Sequence, residues 1–338
     1  MKIVIDMMGG DNGLEATISA TNSFLSLHND VELFLIGDET KLESFKNNPK
    51  CKIVNSETIL AMDVDPMTAL KDKKSSLMVA ISTYLDNKCD ALISAGSTGA
   101  LLAASVFKIK RIPGIIRPCL ITSFPTIKKD KKFVVCDLGA NIENTKEELN
   151  QFAIMGSLYY SIRYNENNPS VYLLSNGTEE EKGSPLNKEA YPLLKENKRI
   201  NFKGNIEARD PLFGDIDVLV TDGYSGNIFL KSVEGTAKVM SNMIKESFKR
   251  NIFSKIGYLL SKKGFDDIKV KMDYKNVGGA MLIGVNGVVI KAHGSSDHQS
   301  FLSALNNAYT LVKEDIVEKI KKELNKWEIL MSFLTNIK

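Results

Sequence analysis

Carboxylates, amides and hydroxyls recur in this chain at one kind of place, the glycine-rich turn that directly follows a short apolar run. Five such turns occur, and the residues in them that could bind a ligand are Asp6, Gly9, Gly10 and Asp11; Gly96, Ser97, Thr98 and Gly99; Asp137, Gly139 and Asn141; Asn176, Gly177 and Thr178; and Asp222, Gly223, Gly226 and Asn227. Glycine lets backbone N–H groups approach a ligand closely, and the amino end of a following helix favours an anion. The repeated turn therefore indicates that the protein binds something phosphorylated.

A structural explanation also exists for each turn, because aspartate, asparagine, serine and threonine are the usual N-caps of helices. For the turn at 6–11 both explanations stay open. In the turn at 94–99, two hydroxyls between two glycines at the start of a helix favour an anion-binding loop. The turns at 137–141 and 221–227 repeat the same arrangement, and this repetition favours one shared site over separate caps.

Several common reactions find no support in the sequence. The turn at 94–99 lacks the Lys-Ser/Thr pair of a P-loop, and the turn at 6–11 lacks the third glycine of a dinucleotide fingerprint. No G-x-S-x-G elbow occurs, so an acyl-serine intermediate is not predicted. With three histidines, and four cysteines without C-x-x-C spacing, neither a zinc site nor another cofactor is expected.

The elements that position these turns alternate between apolar, strand-like runs and amphipathic helices. This alternation predicts an α/β protein, an αβα sandwich with a mostly parallel sheet, as one domain over residues 1–338. Because the carboxyl ends of parallel strands lie along one edge, the five turns are expected to converge on one crevice. Residues 112–132 are expected to form an irregular strand-and-turn connection, and one amphipathic helix is expected to close the chain.

Charge and hydrophobicity restrict the partners and the location of the protein. The 44 basic and 41 acidic residues nearly cancel, which gives no indication of a nucleic-acid partner. No apolar run approaches the roughly 20 residues that cross a bilayer, and the chain begins with a strand rather than a signal peptide. The protein is therefore expected to be cytoplasmic or bound to a membrane surface, with Cys119 and Cys136 as buried thiols in a reducing compartment.

The segment 236–276 interrupts the alternation of strands and helices with a long amphipathic stretch that is rich in lysine. Its first part, 237–248, fits a helix that packs on the sheet or on a second copy of the chain. Its second part has more apolar side chains than packing on a core requires, among lysines that could contact anionic headgroups. The residues predicted to contact a membrane are Ile252, Phe253, Ile256, Leu259 and Leu260.

Two further residues, Lys182 and His293, are open to chemical and structural explanations. Lys182 lies in an acidic loop that ends in glycine and could pair with a phosphate, although a solvated surface charge is the simpler explanation. His293 precedes a glycine and could act as an acid or a base, although a structural hydrogen bond is the simpler explanation.

Taken together, these motifs resemble the phosphate acyltransferases of bacterial phospholipid synthesis over nearly the whole chain. The segments that carry the resemblance are 5–11, 94–101, 137–141, 177–183, 205–210, 221–227 with Leu230, Lys231, Glu234 and Gly235, and 278–280 with 293–295. The chain departs from the family pattern at Met7, at Ser97, and at 12–14, where His-Ala-Pro is usual. The frame of motifs is otherwise intact.

The resemblance implies a fold like that of phosphate acetyltransferases and isopropylmalate-type dehydrogenases, a homodimer, and attachment to the inner face of the membrane. It implies that inorganic phosphate attacks the thioester of a long-chain acyl carrier protein, giving acyl phosphate for a membrane glycerol-3-phosphate acyltransferase. It places Lys182, which would neutralise phosphate, and Asn227, which would donate to the oxyanion or to phosphate, nearest the chemistry. The other glycine-turn residues and His293 would bind substrate and phosphate.

Three other functions stay open on the sequence alone. A phosphate acetyltransferase-like enzyme that uses acyl-coenzyme A would handle phosphate in the same way. An NAD-linked decarboxylating dehydrogenase shares the fold class, but its aspartate cluster for a divalent metal and its Tyr/Lys pair are not apparent. A membrane-surface scaffold would use the lysines of 249–263 and would not need five glycine turns.

Overall fold

A computed structural model of the chain describes residues 1–11, 13–272 and 278–336, and for 266–272 and 327–336 it describes the backbone alone. Across these residues the chain forms one eleven-stranded β-sheet with helices on both faces. The predicted α/β sandwich is therefore confirmed, whereas its description as a single domain stays a prediction.

The sheet consists of short, largely buried strands. In chain order they are β1 Lys2–Asp6, β2 Glu32–Gly37, β3 Cys51–Asn55, β4 Ala91–Ser94, β5 Cys119–Pro125, β6 Lys132–Cys136, β7 Ser170–Ser175, β8 Asn201–Glu207, β9 Val218–Val220, β10 Ala280–Ile283 and β11 Val288–Lys291. Their order across the sheet is β3-β2-β1-β4-β11-β10-β5-β6-β9-β7-β8. Seven of the ten neighbouring pairs described are parallel, so the sheet is mostly parallel, as the sequence predicts.

Ten α-helices accompany these strands in the described part of the chain. They are α1 Gly13–Leu27, α2 Pro66–Ala69, α3 Ser76–Asp86, α4 Thr98–Ala104, α5 Lys146–Tyr164, α6 Pro185–Glu196, α7 Gly223–Lys249, α8 Ile252–Met272, α9 His298–Lys313 and α10 Ile316–Asn336. The clearest start signal is the capping box of α5, in which Thr145 accepts a backbone hydrogen bond from Glu148 and the Glu148 carboxylate accepts one from Thr145. Asp222 and Asp297 cap α7 and α9 through their carboxylates.

Apolar cores lie on both faces of the sheet, because alternate side chains of each strand point to opposite sides. On β1, Ile3 and Ile5 belong to the core beneath α1, α5 and α9. Val4 belongs to the core beneath α3, α4 and α7. All three side chains are fully buried, as expected for a strand that is covered on both faces.

The strands do not all run in one direction, and this changes the predicted site. The pair β5–β6 is antiparallel, and β10 is antiparallel to both of its neighbours. Consequently β1–β5 and β11 run one way, and β6–β10 run the opposite way. The turns after β1 and β4 therefore lie at one edge of the sheet, and those after β6, β7 and β9 lie at the opposite edge. The expectation that all five turns follow one edge is wrong.

Two smaller expectations are also corrected. The strand expected within the connection 112–132 is β5, and it is regular rather than irregular, with Cys119 and Ile121 buried. The chain closes with two helices, α9 and α10, because Asp315 adopts a left-handed conformation with φ of 54° that interrupts the helix. The predicted burial of Cys119 and Cys136 is confirmed.

The amphipathic segment forms a helical hairpin of α7 and α8. α7 begins well before the predicted segment, and α8 packs on it through the rings of Phe248, Tyr258 and Phe265. No residue of 230–265 is buried, so the hairpin projects from the sandwich. Residues 273–276 of the predicted segment lie outside the described residues. None of the helices described is both long enough and apolar enough to cross a bilayer.

Candidate active site

The turns after β1, β4 and β11 form one group. We call it the first loop cluster, and it comprises residues 6–11, 94–99 and 291–296. The backbones of these loops are in direct contact, since the Asp11 N–H donates to the Gly294 carbonyl at 2.7 Å. A Cβ atom on Gly9 would lie 2.6 Å from the backbone nitrogen of Gly96, so no side chain fits there. Loop packing by itself therefore requires a glycine at this position.

Asp6 is buried and holds the first loop cluster together from inside. Its carboxylate accepts hydrogen bonds from Ser94 Oγ at 2.7 Å and from the backbone N–H of Met8 at 3.3 Å. Burial raises the pKa of Asp6, while these hydrogen bonds act in the opposite direction. The side chain thus connects the turn after β1 to the end of β4.

Ser97 is the N-cap of α4, because its hydroxyl accepts from the backbone N–H of Ala100 at 3.5 Å. Thr98 and Gly99 are the first two residues of that helix. The capping explanation is therefore the one observed for the serine of this turn. Contact of these residues with an anion stays a prediction.

A lysine of α7 reaches the first loop cluster and contacts its histidine. The ammonium group of Lys231 contacts Nε2 of His293 and forms an ion pair with Glu234 at 3.0 Å. Partial desolvation and, after it, the Lys231 charge lower the pKa of His293, which favours the neutral ring. Nε2 lies against the Lys231 ammonium group, and Nδ1 lies 2.8 Å from the Ser295 hydroxyl and 3.2 Å from the Ser295 backbone nitrogen. The imidazole is thereby oriented through both nitrogens.

Lys291, at the end of β11, is buried close to this pair. Its ammonium group donates to the Ala95 carbonyl at 3.2 Å and also to the Ala292 carbonyl. Burial lowers the pKa of Lys291 from 10.5 to about 8, although the carboxylates of Asp11 and Asp6 oppose the change. This lysine therefore gains or loses a proton near neutral pH.

The turns after β6, β7 and β9 form the other group. We call it the second loop cluster, and it comprises residues 137–141, 175–184 and 221–227. Its Asp137 carboxylate is buried and accepts from the backbone N–H of Leu120 at 2.9 Å and from that of Asn141 at 2.8 Å. Burial raises the pKa of Asp137, while these hydrogen bonds lower it. The Asn141 side chain donates to Asp137 and to the Pro118 carbonyl, so both side chains are used inside the loop.

The first turn of α7 packs on the Asp137 loop without space for side chains. A Cβ atom on Gly226 would overlap the carbonyl oxygen of Asp137, and one on Gly223 would overlap that of Asn141. Asp222 caps the helix by accepting a backbone hydrogen bond at 2.8 Å. These contacts fix where the helix starts and how it is directed.

Lys182 and Asn227 present exposed polar groups in the second loop cluster. In the part of the chain that the structure describes, neither side chain has a hydrogen-bond or ion-pair partner. Asn227 lies against Gly139, where a Cβ atom would be 3.3 Å from Asn227 Cγ. The stem of Lys182 crosses Gly177, where a Cβ atom would be 2.9 Å from Lys182 Cγ. In both side chains the atoms near the backbone are packed on a glycine, and the polar end group is available to a ligand.

α7 connects the two loop clusters although they lie at opposite edges of the sheet. Asn227, Lys231 and Glu234 share one face of the helix, and we call this face the polar strip. Asn227 touches Gly139 of the second cluster, and Lys231 touches His293 of the first. The strip is about 10 Å long at 1.5 Å per residue. The strip therefore touches both loop clusters, at Gly139 and at His293.

Sequence reasoning did not select Lys231, Glu234 or Lys291 as site residues. Lys231 and Glu234 lie one and two helical turns after Asn227, and this spacing is a signal that the sequence offers. Lys291 ends an apolar strand, and the structure is needed to show that its ammonium group is buried.

Comparison with solved structures shows the class of the protein. The chain is similar to a phosphotransacetylase from Streptococcus pyogenes, with a TM-score of 0.58 and 17% identity over 94% of each chain. It is also similar to a 4-hydroxythreonine-4-phosphate dehydrogenase from Klebsiella pneumoniae, with a TM-score of 0.51 and 10% identity over 92% of this chain and 99% of the other. The protein therefore has the α/β fold of phosphotransacetylases and of such dehydrogenases, as expected from the sequence.

Sequence comparison narrows this class to one family. The family model described as "Fatty acid synthesis protein" matches residues 1–319. A phosphate acyltransferase from Exiguobacterium sp. is 45% identical over 326 residues, covering 95% of this chain and 98% of the relative. One from Mycoplasma mobile is 41% identical over 327 residues, covering 96% and 100%. The chain belongs to the phosphate acyltransferase family, and it is an acyltransferase.

Proposed function

We propose that this enzyme transfers a long-chain fatty acyl group from acyl carrier protein to inorganic phosphate, giving acyl phosphate for phospholipid synthesis. A phosphate oxygen forms a bond to the thioester carbon, the carbon–sulfur bond breaks, and the carrier leaves as a thiolate that takes up a proton. The names of the relatives support phosphate as the acceptor. The observation that carries the proposal is the ammonium group of Lys182, which is exposed and, among the described residues, unpartnered.

Lys182 is the better candidate for neutralising phosphate because its charge is not already compensated. It lies two residues before Ser184, the N-cap of α6, where the helix dipole also favours an anion. Lys231, by contrast, is paired with Glu234, and Lys291 donates to two carbonyl groups. A phosphate dianion therefore gains more from contact with Lys182 than from contact with either of the others.

Asn227 would stabilise the negative charge that develops on the thioester oxygen. Its amide NH₂ group can donate two hydrogen bonds, and Gly139 supports the side chain from below. Donors that are already in place when charge develops lower the barrier most, because nothing has to reorganise during the reaction.

The first loop cluster would bind the other anionic group of the substrate. Acyl carrier protein presents its thioester on a pantetheine arm that is attached through a phosphodiester. Lys231 lies on the polar strip that leads from Asn227 and contacts His293, so an arm bound along this strip would bring its thioester to Asn227. Direct attack by phosphate then needs no enzyme-bound acyl group, because phosphate is an adequate nucleophile once it is held against the thioester carbon.

The test is release of free thiol from palmitoyl-acyl carrier protein, followed with a thiol reagent in the presence and absence of inorganic phosphate. Lys182→Met should lower kcat/KM for phosphate about 100- to 1000-fold, since it removes a charged group at the reacting centre. Lys231→Met should instead raise KM for the carrier thioester. Lys188→Met, which removes an exposed lysine of α6, is the matched control and should resemble the wild type.

Two results would contradict the proposal. Thiol release that does not depend on phosphate would reject phosphate as the acceptor. Normal turnover by purified Lys182→Met and Asn227→Ala enzymes would remove these residues from the reacting centre.

A phosphate acetyltransferase-like enzyme that uses acyl-coenzyme A is the second candidate. The similarity to a phosphotransacetylase structure favours it, but at 17% identity that similarity concerns the fold alone. Rates with palmitoyl-coenzyme A and palmitoyl-acyl carrier protein at equal concentration distinguish the two candidates, and a preference for coenzyme A would select this one.

We also propose that the α7–α8 hairpin attaches the enzyme to the anionic, cytoplasmic face of the membrane. There a membrane glycerol-3-phosphate acyltransferase could receive the labile acyl phosphate. The side of α8 that faces away from α7 carries exposed apolar residues, which are Ile252, Phe253, Ile256, Leu259 and Leu260. Phe253 and Leu260 are 81% and 84% exposed, which is unusual for large apolar side chains without a partner surface. Lys255 and Lys262 lie among them and would contact headgroups.

A homodimer is part of the same proposal. Val239, Met240 and Met243 of α7 are exposed and would pack on a second copy of the chain. These residues lie between the sandwich and the proposed lipid-binding face, so a dimer formed there would leave that face free.

A further inference from the structure

An apolar groove runs along the side of α7 that faces away from the polar strip. It encloses about 1320 Å³, more than the roughly 300–1,000 Å³ of most ligand pockets. Its side walls are α7 and the segment 207–212. The apolar residues that line it include Phe124, Leu174, Leu212, Ile228, Phe229 and Val233.

The two ends of the groove differ in polarity. One end lies in the second loop cluster, where Asn176 and Ser184 line it close to Lys182. The Ser175 hydroxyl at this end has no hydrogen-bond partner within the described ranges. The other end lies at Ala237, next to the exposed apolar residues Val239, Met240 and Met243 of α7.

We propose that this groove holds the fatty acyl chain of the thioester substrate. The inference rests on the function proposed above and adds the place where the chain lies. The carbonyl end of the chain lies where the groove meets the start of α7, between the loop of Lys182 and Asn227, and the methyl end extends past Ala237. The polar head and the apolar tail of the substrate then each meet a surface of matching polarity.

The length of the groove fits a long chain. From Ser225 to Ala237, α7 advances about 18 Å at 1.5 Å per residue. An extended hydrocarbon chain advances about 1.3 Å per carbon, because its bonds of about 1.5 Å form a zigzag. The α7 wall is therefore as long as about 14 carbons of chain.

A second copy of this chain is the other occupant to consider. One end of the apolar lining meets Asn176 and Ser184, beside Lys182, and further polar side chains, Glu207, Arg209, Ser232 and Thr236, lie along the groove. The opposite end continues into Val239, Met240 and Met243 along α7, which gives an acyl chain an apolar path towards the hairpin. This arrangement suits one elongated molecule with a polar head.

Blocking the groove at two points along its length tests the proposal. Ser232→Trp places an indole about 10 Å from Ser225, and Ala237→Trp places one about 18 Å from it. Phosphate-dependent thiol release is measured with butyryl-, octanoyl- and palmitoyl-acyl carrier protein, together with the mass in solution and the melting temperature of each variant. Ser241→Trp is the matched control, because Ser241 is an exposed serine of the same helix outside the groove lining.

The two groove variants should lose acyl transfer at different lengths of the substrate's acyl chain. Both should keep butyryl transfer and lose palmitoyl transfer about 10- to 100-fold in kcat/KM, because several methylenes lose their burial. Octanoyl transfer should fall in Ser232→Trp and stay near normal in Ala237→Trp, since only the nearer indole reaches so short a chain. Ser241→Trp should match the wild type with all three substrates.

Other results would contradict the acyl groove or the proposed function on which it rests. If Ser232→Trp and Ser241→Trp behave alike with all three chains, the groove is not the acyl site, and the proposed function stands. An equal loss with every chain, together with a changed mass in solution, would make the groove a contact between copies.

If Ser232→Trp fails to fold, unchanged palmitoyl transfer by Ala237→Trp overturns the proposal. No phosphate-dependent thiol release by the wild type would reject the proposed function and the acyl groove with it.

Discussion

Three lysines near the site differ in what surrounds them, and this decides what each can do. Lys182 is exposed and has no partner in the described structure, so its full charge is open to a ligand. The ammonium group of Lys231 contacts both the Glu234 carboxylate and the His293 ring. Lys291 is buried beneath two carbonyl groups, and burial disfavours its charged form.

Lys291 gives a prediction about pH. Its pKa of about 8, against 10.5 in the ordinary case, corresponds to a cost of about 3 kcal/mol for holding the charged form. Between these two values the folded protein binds fewer protons at this site than the unfolded chain, so the free energy of unfolding rises with pH there. From pH 7 to pH 10, the wild type should therefore gain up to about 3 kcal/mol relative to Lys291→Met.

Urea titrations of both proteins across this pH range measure the difference in the free energy of unfolding. The ionisable groups that the two proteins share cancel in the comparison. A difference that stays constant from pH 7 to pH 10 would mean that Lys291 does not have a lowered pKa.

At the scale of residues, the sequence predicts which residue types follow the strands. It predicts less well whether their side chains bind a ligand or form hydrogen bonds within the loops. Asp6 and Asp137 follow their strands as expected, but their carboxylates are used inside the loops, because a buried carboxylate needs nearby donors. Lys291 could not be predicted, since the apolar strand before it does not show where its ammonium group lies. The roles of Lys182 and Asn227 stay predictions that their exposure supports.

At the scale of elements, the start of α7 depends on close packing. Gly226→Ala should lower the free energy of unfolding by about 3 kcal/mol, because the added methyl group overlaps the Asp137 carbonyl oxygen. Gly235 lies on the opposite side of the same helix, and there the methyl group of Gly235→Ala meets no atom within 4 Å. It should raise the free energy of unfolding by about 0.5–1 kcal/mol, because alanine loses less backbone entropy in a helix. Denaturant titrations measure both.

Comparing Gly226→Ala with Gly235→Ala separates the effect of packing from that of helix propensity, because both replace a glycine of the same helix by alanine. Equal effects of the two substitutions would show that the first turn of α7 has room to move away from the Asp137 loop.

Most strands and helices follow from the sequence, but the reversal of strand direction was not predicted from the apolar runs. Its cause is nevertheless visible, because only residues 126–131 separate β5 from β6. A parallel connection needs about a dozen residues or more, so a linker this short forces an antiparallel pair. Every strand from β6 to β10 then runs opposite to β1, and the turns divide between two edges.

At the scale of the whole molecule, the sandwich buries both faces of its sheet while the hairpin leaves apolar side chains outside. If the hairpin binds lipid, Ile256→Asp should abolish flotation with vesicles that contain phosphatidylglycerol, because it places a charge within the apolar face of α8. Changing Lys255 and Lys262 to glutamate should weaken flotation most at low salt. Thiol release from soluble substrate should stay near the wild-type rate in both variants.

Ser261→Asp adds the same charge at an exposed polar position of α8 and should float like the wild type. Flotation of Ile256→Asp that equals that of the wild type would show that α8 packs on protein instead of lipid.

α7 extends without interruption from the second loop cluster to the tip of the hairpin, and its 27 residues make a rod about 40 Å long. A tilt of about 5° around the middle of such a rod displaces each end by about 2 Å. Asn227 lies near one end, and a displacement of about 1 Å at a reacting centre can reduce a rate about 100-fold. If Asn227 donates to the thioester oxygen as proposed, whatever holds the hairpin at a given inclination also sets how well the Asn227 amide meets that oxygen.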